Sequence, residues 1–249
     1  MTPLHALAIF AAGIAAGTIN TVVGSGTLIT FPALLAFGYP PVTANVSNTI
    51  GLVPGSVSGA VGYRRELSGQ RRRTWPLAVV STLGGTAGAI LLLTLPASAF
   101  KAIVPGFIAV ALVLIVAQPW LTRLVGSRRR RHDQRVAPAP TLGVFLSGVY
   151  GGYFGAAQGI LLLAILGLAI DDDLQRINAL KVVLAGLVNL VAGVIFAIVA
   201  HVAWGAAGLI AAGSILGGVI GARYGRRLPP IALRMVIVVV GIAAIVRLV

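Results

Sequence analysis

Between Ala197 and Leu216, and again between Leu233 and Val249, the chain runs almost without a polar residue, and such runs constrain the fold more than any other feature. Six or more stretches approach the roughly 20 apolar residues that an α-helix needs to cross a hydrocarbon core. A transmembrane β-barrel would alternate apolar and polar residues over about 10-residue segments, which these runs do not. With 58% hydrophobic and 10% charged residues among 249, too little polar surface exists to cover a water-soluble globule of this size. The expected solvent is lipid, and the expected fold is an all-α polytopic membrane protein.

A net charge of +14 is of the size that nucleic-acid binding uses, but the arginines fall between apolar runs, where cytoplasmic loops of membrane proteins concentrate them. No nucleic-acid partner is expected. The chain has no cysteine, which excludes disulfides and thiolate chemistry. Met1 to Phe10 holds no Lys or Arg, so a cleaved signal peptide is not expected and the chain should start in its first membrane segment.

An internal repeat emerges at an offset of 133 residues. It maps Leu83-Gly84-Gly85 onto Leu216-Gly217-Gly218, Gly88-Ala89 onto Gly221-Ala222, and Leu95-Pro96 onto Leu228-Pro229. The same offset carries Gly26 to Gly159 and Asn45 to Asn178, and sets Asn48 and Ser56 opposite Lys181 and Asn189. Loop charge distinguishes the halves. Arg64 to Arg73 carries five arginines and its counterpart near His201 none, whereas Thr94 to Lys101 carries one basic residue and Arg223 to Arg234 four. Under the positive-inside rule, equivalent loops face opposite sides of the membrane, which makes these inverted repeats.

Inversion requires an odd number of crossings per half, so one of four segments in each should enter and leave on one side. The candidates are Leu4–Pro40 and Leu142–Ile170, broken at Gly24-Ser25-Gly26-Thr27 and near Gly155–Gly159. Each reads as a re-entrant hairpin of two short helices, with three transmembrane helices after it, giving about eight membrane segments: spans near 42–62, 74–94, 99–121, 176–199, 203–222 and 231–248. The expected organisation is a first repeat over 1–122, a basic cytoplasmic linker over 123–140 and a second repeat over 141–249. Both termini then lie outside, and Arg64–Arg73, Arg123–Arg135 and Arg223–Arg227 all lie in the cytoplasm. The linker run Arg128–Asp133 reads as an orientation signal, with anionic-lipid binding as the other reading.

Non-helical backbone at membrane depth survives only where it is buried in protein or lines a wet cavity, so both breaks should face inward. Beyond each break a helix restarts near Thr27 and Gly159, with free N–H groups and the positive end of its dipole at its start, an arrangement that favours an anion. Gly24, Gly26, Gly155 and Gly159 permit close backbone approach, and Ser25, Thr27 and Gln158 add side-chain donors. Asn45, Asn48, Thr49 and Ser56 form one helical stripe; Asn178, Lys181 and Asn189 repeat it, with Asn189 expected deepest. Lys181 lies near a helix end and has two readings, neutralising an incoming anion or snorkelling to the interface. Glycine pairs at Gly13/Gly17, Gly51/Gly55, Gly84/Gly88 and Gly217/Gly221 read as helix packing.

Other chemistry is not called for. Glu66, Asp133 and Asp171-Asp172-Asp173 are all the carboxylates and all fall in expected loops, so an intramembrane carboxylate relay is absent. The acidic run should cap the following helix, with gating or cation coupling as the alternative. There is no phosphate-loop motif, and His5, His132 and His201 are scattered, so neither a catalytic constellation, a metal site nor a cofactor is expected. A monovalent anion leaving a negative interior gains about 2.3 kcal/mol per 100 mV without a coupling ion.

Gly13-Ile14-Ala15-Ala16-Gly17 through Gly24-Ser25-Gly26, then Phe31-Pro32-Ala33-Leu34 and Ala44-Asn45, resemble the sulfite exporter TauE/SafE family. In the second half Tyr150-Gly151-Gly152-Tyr153-Phe154-Gly155-Ala156, Asn178-Ala179-Leu180-Lys181 and Asn189 are similar to the same family. The resemblance implies a multi-pass transporter, in the plasma membrane of a prokaryote, for sulfite, sulfonates or related small organosulfur anions. The chain departs from the family's glycine run at Gly24-Ser25-Gly26-Thr27 and at Ala157-Gln158-Gly159, adding polar side chains at both breaks. An importer of an organic anion and a non-transporting membrane scaffold are the alternatives. The expected partners are a small anion and the bilayer, with the oligomeric state open.

Overall fold

Ten helices form among the residues that the computed structural model describes, which are 1–126, 138–225, 235, 237–242 and 245. They are α1 (Pro3–Val22), α2 (Thr27–Ala36), α3 (Pro41–Gly62), α4 (Arg64–Leu67), α5 (Arg71–Thr94), α6 (Ala97–Gly126), α7 (Pro138–Tyr153), α8 (Gln158–Ala169), α9 (Leu174–Val199) and α10 (Trp204–Tyr224). Residues 237–242 are helical as well. No strand occurs among the described residues. The linker run Arg128–Asp133 and most of the span expected over 231–248 lie outside them.

Local chemistry sets several boundaries. Thr2 caps α1 by accepting from the His5 N–H, with Pro3 as the first helical residue, where its missing N–H costs nothing. Asp173 caps α9 by accepting from the Gln175 N–H at 2.7 Å, the role expected of the acidic run. Both glycine breaks interrupt the helices. At each, an N–H reaches back five residues and the donor glycine turns left-handed: Gly24 to Ile19 with φ +91°, Gly155 to Tyr150 with φ +76°.

Five helices (α1, α5, α9, α10 and residues 97–121 of α6) are long and apolar enough to cross a bilayer. Ile198, Val113 and Val239 are each about two-thirds exposed or more, which suits a surface that meets acyl chains rather than water. α1 holds 20 residues, so the first arm of the leading hairpin is not the short helix expected of it; α2, with 10, is short.

The helices interlock. α10 packs chiefly on α1 and α3, while α5 packs chiefly on α7 and α9, and α3 meets α9 between them. Thus the helix that starts at Arg71 lies on later elements, and the helix that starts at Trp204, 133 residues on, lies on the earlier ones. One contact repeats at that offset: the Ser81 hydroxyl donates to the Leu184 carbonyl at 3.4 Å, and the Ser214 hydroxyl donates to the Gly51 carbonyl at 2.8 Å. Small residues make these interfaces tight. A Cβ on Gly17 would lie 2.4 Å from the Ser214 carbonyl oxygen, and one on Gly88 2.0 Å from that of Val149. At the breaks the offset differs: Gly24 corresponds to Gly155 and Thr27 to Gln158, 131 residues on, because α8 has 12 residues where α2 has 10. Gly26 and Gly159, matched by sequence at 133, therefore occupy different places, one before α2 and one inside α8.

Loops gather at two ends. At one, the Tyr39 hydroxyl reaches the Met1 sulfur, and Tyr39 and Lys101 line a shared cavity of about 640 Å³. At the other, Arg73 pairs with Asp172, Gln70 Nε2 donates to the Arg176 carbonyl at 3.1 Å, and Arg176 donates to the Ser68 carbonyl at 3.1 Å.

Candidate functional site

The two breaks meet. The Gly159 N–H donates to the Gly24 carbonyl at 3.0 Å, and a Cβ on Gly24 would lie 2.4 Å from the Gly159 Cα, so glycine on both sides is what allows the contact. Around it, Gly26 and Thr27 at the start of α2 and Ala156 and Ala157 before α8 have N–H groups that donate to no backbone carbonyl among the described residues. Helix starts of this kind present donors and a positive potential. Ala157 itself adopts a left-handed backbone, φ +60°, which in a residue with a Cβ costs about 1–2 kcal/mol. The Tyr150 hydroxyl pins the turn by donating to the Ala156 carbonyl.

Among the described residues, the buried polar atoms without a partner at the breaks include Ser25 Oγ, in a residue 1% exposed, and Gln158 Nε2, in one 3% exposed. Leaving such a group unpaired costs about 1–3 kcal/mol, a cost that a ligand at this place would remove. Gln158 lies flat against Gly151, where a Cβ would come within 2.3 Å of its amide carbon.

The stripes on α3 and α9 cross-brace the breaks. Asn45 donates to the Tyr153 carbonyl at the end of α7 at 3.0 Å, and Asn178 donates to the Thr21 carbonyl at the end of α1 at 3.4 Å. Each asparagine thus satisfies an orphan carbonyl of the other half's broken helix, and each keeps an unpartnered buried amide oxygen. Asn48 is occupied within its own half, donating to Thr27 Oγ1 at 3.2 Å and accepting from Thr30.

Lys181, at the position corresponding to Asn48, is 0% exposed and does not snorkel. Its ammonium donates to the Asn20 and Thr21 carbonyls at 3.3 and 3.2 Å, where the negative end of the α1 dipole favours a cation. An ammonium has three donors, so one is left over. Among the described residues no carboxylate pairs with it; the ion pairs there are those of Asp172. A buried charge without a counter-charge is expensive unless something supplies one. Lys181 lies seven residues, about 10 Å of helix, in from Leu174 at the arginine-rich end.

Asn189 is set apart. It is half-buried, makes no hydrogen bond among the described residues, and sits eight residues, about 12 Å of helix, beyond Lys181. The most fully buried members of the two stripes are Asn45, Asn48 and Lys181.

Sequence reasoning passed over Asn20, which donates to Ser56 at 3.4 Å, and Thr30. The signal for Asn20 was its place in the last turn before a break, where carbonyls and polar side chains must find partners. It also passed over the clasp in which Asp172 holds Arg73 and Arg176 together. Partial burial pushes the Asp172 carboxyl up, but hydrogen bonds from the two arginines outweigh that and hold it below its usual 3.8. The clasp is only partly exposed and lies at the arginine-rich end. Ser25, Thr27, Asn45, Asn48, Gln158 and Lys181 are all buried and closed to solvent in this structure.

Comparison with known proteins adds an independent line. Residues 9–248 match the model of the family described as sulfite exporter TauE/SafE. A probable membrane transporter protein, ORF9, of a Sinorhizobium species is 31% identical over 249 residues, spanning 98% of this chain and 92% of that protein. A probable membrane transporter protein of Haemophilus influenzae is 28% identical over 86% of this chain and 83% of its own. The probable membrane transporter protein YfcA of Escherichia coli K12 is 26% identical over 92% of this chain and 82% of its own.

Proposed function

The chain belongs to the sulfite exporter TauE/SafE family, a family of multi-pass membrane transporters, and from that premise we propose that it is a secondary transporter carrying a small anion, such as sulfite or a sulfonate, outward across a prokaryotic plasma membrane. One observation carries the anionic reading: the Lys181 amine is wholly buried with no carboxylate partner among the described residues, where it donates to two backbone carbonyls. An anion drawn to its remaining donor would supply the missing counter-charge. The N–H groups of Gly26, Thr27, Ala156 and Ala157 and the side chains of Ser25 and Gln158, unpartnered among the described residues, offer the short, directional donors that an oxyanion takes in place of water.

Two hairpins in inverted repeats account for the meeting of the breaks and for the repeated Ser81 and Ser214 contacts. The clustering of the arginine loop with the Asp172 loop at one end, and of Met1, Tyr39 and Lys101 at the other, supports both termini outside. Outward movement of the anion then runs with the membrane potential, at about 2.3 kcal/mol per charge per 100 mV. The chain acts as a transporter and not as an enzyme in this account, since its polar groups hold and release without a nucleophile or base.

Flux of radiolabelled sulfite and a panel of small sulfonates in proteoliposomes under an imposed potential tests the proposal. Saturable, potential-dependent flux that falls in Gln158→Ala is expected. No flux of any anion through folded, inserted protein would refute it.

A further inference from the structure

A second feature of the arginine-rich end is unrelated to the breaks. Between α4, α5 and α9 a groove of about 920 Å³ opens on the outer surface of the bundle. Arg64 and Arg71 stand at its mouth with Ser68, and Trp75, Val79 and Leu83 of α5 line it with Leu187 of α9. Both arginines are exposed, and neither pairs with a carboxylate among the described residues, in contrast to Arg73 and Arg176. Trp75, Val79 and Leu83 are 71%, 52% and 58% exposed, an apolar strip that follows one side of α5 at a spacing of four.

Length identifies the occupant. From Arg71 to Leu83 the helix rises about 18 Å, close to the roughly 15 Å of a single leaflet's hydrocarbon. The cations therefore stand at headgroup level when the apolar strip lies among acyl chains, with Trp75 at the boundary where its ring is favoured. A soluble anion would use the mouth and leave the strip empty; a neutral lipid would use the strip and leave the arginines unpaired. We propose that the groove binds one anionic phospholipid of the leaflet at the arginine-rich end, its phosphate held by Arg64 and Arg71 and one acyl chain lying along α5. This site is independent of the anion pathway at the breaks.

The chain holds three tryptophans, Trp75 in the groove and Trp120 and Trp204 elsewhere. Each is kept singly by changing the other two to Phe, and its fluorescence is followed in phosphatidylcholine vesicles containing brominated phosphatidylglycerol or, equally, brominated phosphatidylcholine. Trp75 should be quenched preferentially by the anionic lipid. The preference should fall about 30-fold in Arg64→Gln together with Arg71→Gln, the loss that two basic groups near the surface carry, and should persist in the double Lys variant, which also shows that the exposed positions tolerate change. Equal quenching by both lipids, the same preference at Trp120 and Trp204, survival of the preference in the Gln pair, or its removal by inorganic phosphate would each overturn the proposal.

Discussion

The two helix breaks are built to one plan and differ in charge. Each ends on a left-handed glycine, restarts a short helix three residues later, and has an asparagine from the opposite half on the last carbonyls of its first arm. Yet the α1 break carries the Lys181 ammonium on those carbonyls, while the corresponding side chain in the other half, Asn48, is used up by Thr27 and Thr30. The glycines differ too: Gly24 lies against Gly159, whereas a Cβ on Gly155 would meet nothing nearer than the Gly151 carbonyl at 3.0 Å. The frame is repeated because two broken helices must satisfy the same backbone groups. The charge is not repeated: Asn48, not a second lysine, occupies the corresponding place, and a second buried cation would double the desolvation cost.

The glycines offer the sharpest break of that comparison. Gly24→Ala adds a Cβ 2.4 Å from the Gly159 Cα on a left-handed backbone and should cost about 4 kcal/mol, whereas Gly155→Ala meets strain without that clash and should cost about 2. Thermal unfolding in detergent measures both, and equal losses would show that the breaks are not in contact. For charge, Lys181→Met should lower anion flux by about 100-fold, the loss of one charge-assisted contact in a dry site, and Asn48→Leu should lower stability by about 1–3 kcal/mol while leaving flux selective for anions. Similar flux loss in the two variants would make charge irrelevant.

The clasp tests the end of the molecule nearest Lys181. Asp172→Asn removes the partner of the buried Arg73 guanidinium and should cost about 2 kcal/mol at neutral pH, below the range for full burial because the carboxyl is partly exposed. Since the folded protein holds Asp172 below 3.8, its contribution is present above that pH and is lost as the pH falls through the lowered value. Melting temperatures taken from neutral pH down to pH 3 should converge between the wild type and the variant; parallel curves would remove Asp172 from the account. The smallest effect is expected at Ala157→Gly, where release of the left-handed strain should raise stability by up to about 1 kcal/mol, read as a small rise in melting temperature.

Much of the helical order was legible because apolar length and glycine clusters act locally: the interruptions near Gly24 and Gly155 stand out within otherwise lipophilic segments. Lengths of the hairpin arms were not, since α1 extends through Pro3–Val22 on packing against α10, which periodicity does not report. Nor was the two-residue difference between α2 and α8, because nearly uniform aliphatic helices leave no mark of a shift. Within the candidate site, residue type picked out Ser25, Gln158, Asn45 and Lys181, but enclosure depends on which helix covers a position. That is why Lys181 has two readings from sequence, and why Lys181 is enclosed while Asn189, on the same stripe, is half-buried. The clasp of Arg73 with Asp172 joins residues about a hundred apart, and no local pattern connects them.

The most direct test of the central claim is equilibrium binding of radiolabelled sulfite and a short sulfonate to purified wild-type protein and Lys181→Met, with Lys181→Arg as the charge-preserving control. The account predicts saturable anion binding that is lost in the Met variant and at least partly kept in the Arg variant, with all three proteins folded. Anion binding of undiminished affinity in folded Lys181→Met would contradict it.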